Sequence, residues 1–322
     1  MKNKLKIWII IASLLCAVGC LIAVAAMALS GFNFPSFITS TLVTNVTEIG
    51  EDFSDIIISS DTADIKFVLS EDGKCKVECH EEAKVKHNVT VEDGALKIKL
   101  VDNRLWYETV SIGSFDSSSV TVYLPQKAYN SLVINTSTSD VEIPEDFSFE
   151  NLDVKVSTGD VKCKASAKEL QITAGTGAVK IENVSANNAS ISTSTGQITA
   201  EKLNCSGDIS LRVTTGKTSL TDVTCKNLTS VGGTGDIMLT GVVALGQCDI
   251  TRDTGDVTFV KSDAASVTVK TDTGDVTGTF LTDKIIYANS STGDIDVPKC
   301  TSGGMCDITT STGDIIISIV ES

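Results

Sequence analysis

From Leu152 to Ile317 the apolar residues fall in pairs two positions apart, and the pairs recur every 18 to 20 residues. The beat is set by a glycine in the phrase T-G-D and its variants, at Gly159, Gly177, Gly196, Gly216, Gly235, Gly255, Gly274, Gly293 and Gly313. Seven and five positions before it stand pairs such as Leu152 and Val154 or Leu170 and Ile172, with Ser230 as an exception. Two and four positions after it stand Val161 and Cys163, Val179 and Ile181, then Thr218 and Leu220. A weaker apolar position, seven after the glycine, holds Val184, Leu203, Val223, Val242, Leu281, Cys300 and Val320. Spacing by two is the strand period, and a repeat of about 19 residues with two clear short strands and a third describes one turn of a β-solenoid. A helical repeat would space its apolar residues by three and four, which no segment here does.

The glycine phrase predicts a corner, because glycine supplies positive φ and Thr and Asp side chains bond backbone groups left unpaired at a turn. Aspartate follows the glycine position at 140, 160, 236, 256, 275, 294 and 314, whereas Ala178, Gln197 and Lys217 replace it in three consecutive rungs. Rungs stacked ~4.8 Å apart bring these carboxylates together at a cost of roughly 1 kcal/mol per pair in a water-like dielectric. Two readings offset that cost. The aspartates cap the corner with help from water, or Asp236, Asp256, Asp275, Asp294 and Asp314 form a calcium ladder, although one carboxylate per rung is thin for roughly six to eight ligands. A tenth copy lacking its glycine lies at Ser139-Asp140, and an outlying one at Ala63-Asp64.

The expected fold is therefore all-β: a single-stranded parallel β-solenoid (β-helix) of about ten rungs of 19–20 residues over 131–322. Residues 51–130 hold less regular strands, such as "IKFVL", "CKVEC" and "ALKIKL", which read as an irregular β cap or as first, wider rungs. A cap is expected because an open rung exposes unpaired backbone groups.

Ahead of these strands, Lys2, Lys4 and Lys6 precede an uninterrupted apolar run over 7–29. That is enough at ~1.5 Å per residue to cross a hydrocarbon layer of ~30 Å. The reading is a cytoplasmic tail over 1–6, one transmembrane helix over 7–29 and a linker over 30–50, with everything beyond outside the cell membrane. Phe32, Phe34 and Phe37 are expected at the membrane interface. Ala26-Met27-Ala28 would serve as a cleavage site if the run were a signal peptide, and "AVGC" ending at Cys20 faintly resembles a lipoprotein box.

Charge and rare residues narrow the chemistry. With 41 acidic against 26 basic residues, the net charge of −15 excludes a basic face for nucleic acid and disfavours an anionic lipid surface. His80 and His87 are the only two histidines, in no recognisable ligand spacing. Cys163, Cys248, Cys300 and Cys306 fall in apolar columns and read as small buried hydrophobes. Cys205 and Cys225 both stand nine after a glycine, in adjacent rungs, so they form either a disulfide or two more small core residues beside Ala186, Ala244 and Ala264. Cys75 and Cys79, with His80, are a weak metal candidate; otherwise they are surface strand residues. Arg212 and Arg252, the only arginines of the solenoid, are flanked by no inserted loop that would wall a catalytic cleft.

The order of strand, "EDG", strand, "ALKIKL", "VTVYLP" and tandem "STGDV" rungs resembles the bacterial putative-adhesin family with β-strand repeats, a domain of unknown function on envelope proteins. The resemblance covers roughly residues 50 to 322 and is specific for architecture. It implies a β-solenoid outside the membrane of a Gram-positive bacterium, acting in adhesion or envelope-stress sensing, and it transfers no catalytic residue. The expectation is a non-catalytic surface module without a cofactor, held by its N-terminal helix and binding a glycan, a cell-wall polymer or a protein. A signalling or assembly role through a membrane partner is the alternative, and a solenoid polysaccharide lyase or hydrolase a more distant one.

Overall fold

A computed structural model describes residues 2–29, 42–104 and 118–320. Helix α1 spans Lys2–Leu29, and its window Trp8–Ala25 has a mean hydropathy of 2.7 with none of it buried in protein. A helix apolar on all sides is stable only where something other than water surrounds it, and this one is long and apolar enough to cross a membrane. Phe32, Phe34 and Phe37 lie outside the described residues.

The other described residues form a parallel β-solenoid of about nine turns with antiparallel strands at its N-terminal end. One turn shows how the sequence builds it. The long strand Ser148–Thr158 buries Phe149, Leu152, Val154 and Val156, and the spacing of three between the first two marks a bend between faces. The chain turns at Gly159 and continues as Val161–Cys163, which buries its first and last residues. Each rung stacks in phase on its neighbours, so that Leu152 lies between Leu132 and Leu170, and Val154 between Ile134 and Ile172. Like residues thus form continuous apolar columns, which is why the sequence period appears.

Two departures from sequence order occur at the ends. Eight strands start the domain: β1 (Leu42–Ile49), β2 (Asp55–Ser59), β3 (Asp64–Leu69), β4 (Cys75–Glu82), β5 (Val85–Glu92), β6 (Ala95–Asp102), β7 (Ser119–Leu124) and β8 (Ala128–Thr138). The β2–β3 rung does not lie outermost; β2 sits between β6 and β8, and β3 between β7 and Val141–Ile143. Antiparallel β5 covers β6, antiparallel β4 covers β7, and β1 covers β4. The linker expected over 30–50 therefore ends by Leu42, because the alternating "LVTNVTEI" supplies the strand that pairs along β4.

At the other end the last rung in sequence is not the last in space. Strand Gly304–Thr312 lies between Ser266–Thr273 and Lys284–Thr292, and Ile315–Ile319 lies on Val276–Phe280. The chain climbs past one rung height at Leu281–Asp283, lays down the Gly293 rung, then returns to fill the gap. Lys284 starts that outer rung; almost fully buried, it pairs with Asp263 and donates to Thr282 Oγ1 at 2.6 Å. Leu281, expected in an apolar column, is exposed, and Phe280 takes the inward place opposite Ser262 because the register shifts beyond Phe259.

Candidate functional site

The corner is the most repeated feature, so its chemistry comes first. The nine glycines have φ between +128° and +150°. A Cβ on Gly274 would lie 2.1 Å from the carbonyl oxygen of Gly255 in the rung below, and the same clash recurs up the column. Glycine is therefore demanded twice, by conformation and by the close approach of stacked backbones.

Each aspartate of the column except Asp294, on the outermost rung, uses its side chain between rungs. Oδ1 of Asp256 accepts from the backbone N–H of Asp275 at 2.9 Å, Asp275 from Asp314 at 2.8 Å, and Asp314 from Asp294 at 2.8 Å. The ladder also runs from Asp236 to Asp256 at 3.3 Å, and at the far end through Asp64, Asp140 and Asp160. The outlying Asp64 thus belongs to the same column, and the stacking order is 256, 275, 314, 294. Lys217, where the aspartates stop, reaches Asp236 Oδ2 at 3.2 Å. The backbone N–H of Asp256, and then Lys217, hold the Asp236 carboxyl below its ordinary value.

A buried cation explains the polar exceptions in the columns. Arg252 turns inward, almost fully buried, and donates through Nη2 to Ser230 Oγ at 2.9 Å and to Thr218 Oγ1 at 3.2 Å. Gly232 clears its path, since a Cβ there would lie 2.0 Å from Nη1. Its Nε has no hydrogen-bond partner, and burial lowers the guanidinium to about 10. The signal was legible: two hydroxyl residues and a glycine replace apolar or bulkier residues in rungs adjoining an inward-facing arginine.

The cysteines are mostly core residues. Cys163, Cys248 and Cys306 are buried, whereas Cys300, expected with them, is only half-buried after the last strand of the outermost rung, and Cys205 and Cys225 lie buried in adjacent rungs as free thiols. Burial raises the Cys205 thiol to about 12 and that of Cys225 to about 11. Cys75 and Cys79 are not surface residues: β4 buries Cys75, Val77, Cys79 and Glu81 in alternation, because its inner face covers the end of the core. His80 points the other way and bonds Thr44 at 3.0 Å, so the trio Cys75, Cys79 and His80 does not converge. His87, which spacing alone did not single out, comes back beside Cys79 and Glu81.

An open groove of about 610 Å3 crosses five rungs. Its floor falls from Tyr129 and Phe149 to Ala167 and Ala186, and this drop in side-chain size makes the depression. Its rim carries Ser148, Ser166, Ser185, Asn187, Asn204 and Ser206, with Glu150 and Lys168 paired across two rungs. Hydroxyl and amide groups repeating at ~4.8 Å offer a periodic, nearly uncharged hydrogen-bonding strip.

The profile of the family described as Toastrack DUF4097 matches residues 53–212 and 198–322. No curated protein matches the chain. A structure described as a putative lipid binding protein from Parabacteroides distasonis shares 16% identity, covering 73% of this chain and 96% of its own, with a TM-score of 0.50. A putative adhesin from Parabacteroides merdae shares 13%, with coverages of 75% and 97% and a TM-score of 0.49. A putative adhesin from Bacteroides fragilis shares 17%, with coverages of 87% and 98% and a TM-score of 0.44. At such identities the likeness concerns the fold alone.

Proposed function

The chain belongs to the Toastrack DUF4097 family, and on that premise we propose that it is a non-catalytic, membrane-anchored module outside the cell that binds an extended polar polymer, a glycan or cell-wall chain. The observation that supports this reading is the five-rung groove with its hydroxyl and amide rim. A polymer laid along the solenoid axis would meet like groups at every rung, so weak contacts would add along its length. The net charge of −15 favours a neutral or basic polymer over a polyanion. Helix α1 would hold the module at the membrane, with the solenoid on the side opposite the lysine-bearing N-terminus.

The test is a binding screen of the full-length protein in nanodiscs against wall polymers and glycans, repeated with Ala186→Trp, which fills the groove. Binding lost in that variant and kept when Thr268→Trp alters another outward position supports the reading. Binding equal in both variants overturns it.

A further inference from the structure

A buried carboxylate in the cap asks for an explanation. Glu81 and His87 have side chains only 2% and 1% exposed, at the end of the solenoid where β4 passes into β5. An ionisable pair in such a place is costly unless every atom is matched. Here the matching converges from four segments. Asn45 of β1 donates to Glu81 Oε1 at 2.7 Å, and the backbone N–H of His87 donates to Oε2 at 2.7 Å. His87 Nδ1 lies 2.8 Å from Oε2, and its Nε2 lies 3.0 Å from Ser60 Oγ at the corner of the rung below. The Cys79 thiol completes the group: the ligand atoms of Cys79, Glu81 and His87 all lie within 4.8 Å of one another.

We propose that Cys79, Glu81 and His87 bind one divalent transition-metal ion of the zinc class, which ties the cap strands β4 and β5 to each other above the rung that Ser60 ends. Sulfur, imidazole nitrogen and carboxylate oxygen together are the donor set of such ions, whereas calcium and magnesium take oxygen alone. The surrounding bonds suit ligation. With Nδ1 on the metal, Nε2–H donates to Ser60; with Oε2 on the metal, Asn45 holds Oε1. Such outer partners fix a ligand's tautomer and direction. Three protein ligands leave a fourth position for water. Binding releases the thiol proton, so affinity rises with pH. This proposal is independent of the groove and of what the groove binds.

The experiment uses the full-length protein in nanodiscs, stripped with chelator, in a Cys16→Ser, Cys20→Ser, Cys300→Ser background that removes the exposed and half-buried thiols. Cobalt(II) and zinc(II) are titrated, followed by absorption and calorimetry. Expected are one equivalent bound, a thiolate-to-cobalt charge-transfer band, displacement by zinc, and a raised melting temperature. Cys79→Ser, which keeps the shape, should abolish the band and weaken zinc by about 100-fold, and His87→Gln by about 10-fold or more. Cys75→Ser, on the same strand face, should leave both unchanged. A folded protein that binds no zinc at millimolar concentration, or whose zinc affinity survives Cys79→Ser, overturns the proposal.

Discussion

At the N-terminal end, β4 and β5 lie antiparallel over the outermost rung, and Leu96, Ile98, Val120 and Val122 beneath them are fully buried. At the C-terminal end no described strand covers the Gly293 rung; Ile286, Ala288 and Val297 stay half-buried, and Ile295 is 45% exposed. Both ends nevertheless share one device, since each outermost rung is neither first nor last in sequence, and the rung nearest the chain terminus is tucked inside it. The difference teaches what a cap does. Reversing strand direction stops parallel stacking from continuing, whereas an open parallel edge remains a template for a further strand. A protein partner at the C-terminal edge would extend the parallel stack, whereas at the N-terminal end β1 and β5, each paired on one side only, offer antiparallel edges instead.

The sharpest way to break this comparison is to delete residues 304–322. If the Gly313 rung is interior, its loss removes Cys306, Ile308, Ile315 and Ile317 from the core, roughly 6–12 kcal/mol of gross burial, and strands the Gly293 rung outside. Hydrogen exchange should then show 284–297 unprotected. Protection retained there would mean that the rungs stack in sequence order.

Next in size is the corner. Gly274→Val should cost about 4 kcal/mol in urea melts, because strain at φ +150° adds to a Cβ 2.1 Å from a carbonyl that cannot withdraw without separating rungs. Gly73→Ala, at φ +71° in the open turn between β3 and β4 with nothing within 4 Å of its Cβ, should cost about 1 kcal/mol. Equal costs would show that conformation alone governs the column.

The glycine period makes the rungs, their inward columns and the corner legible in the sequence, because in-phase stacking writes one spatial column as one sequence offset. It could not reveal rung order. The spacings 274 to 293 and 293 to 313 are 19 and 20 residues, like those of sequential rungs, so a chain that skips a level and returns leaves no trace in its period. Nor could it place His87, because the three residues of the cap cluster meet through a crossing between strands of different faces, and no fixed offset encodes that crossing. The alternation in "KCKVECHEE" showed two faces without showing that the inner one covers a core.

Core truncations compare the ends directly. Leu96→Ala, beneath the cap, should cost about 3 kcal/mol, whereas Ile295→Ala at the open end should cost about 1 kcal/mol or less. A large cost at Ile295 would show that something covers the C-terminal edge in solution, and its dependence on protein concentration would tell a second copy from a ligand.

The smallest effect concerns the aspartate ladder, which runs through both ends. Asp275→Asn keeps the Oδ1 acceptor for the N–H of Asp314 and removes one charge from a repelling stack. The weaker neutral bond and the relieved repulsion oppose each other, so stability should move by about 0.5 kcal/mol or less, in either direction. Asp275→Ala, which removes the acceptor, should cost about 1 kcal/mol. The pH dependence has a definite sign. The Asp236 carboxyl is held down first by the backbone N–H of Asp256 and then by Lys217, so its folded value lies below its unfolded one. Its stabilisation is present above the ordinary carboxylate range and is lost as pH falls through the folded value. Lys217→Met removes one of the two causes and should narrow that acid-side loss. On the capping reading, millimolar calcium leaves the melting temperature within about two degrees. A larger rise, abolished by Asp275→Asn, would instead make the column a cation ladder, with Oδ2 of each carboxylate turned to the metal while Oδ1 keeps the rungs together.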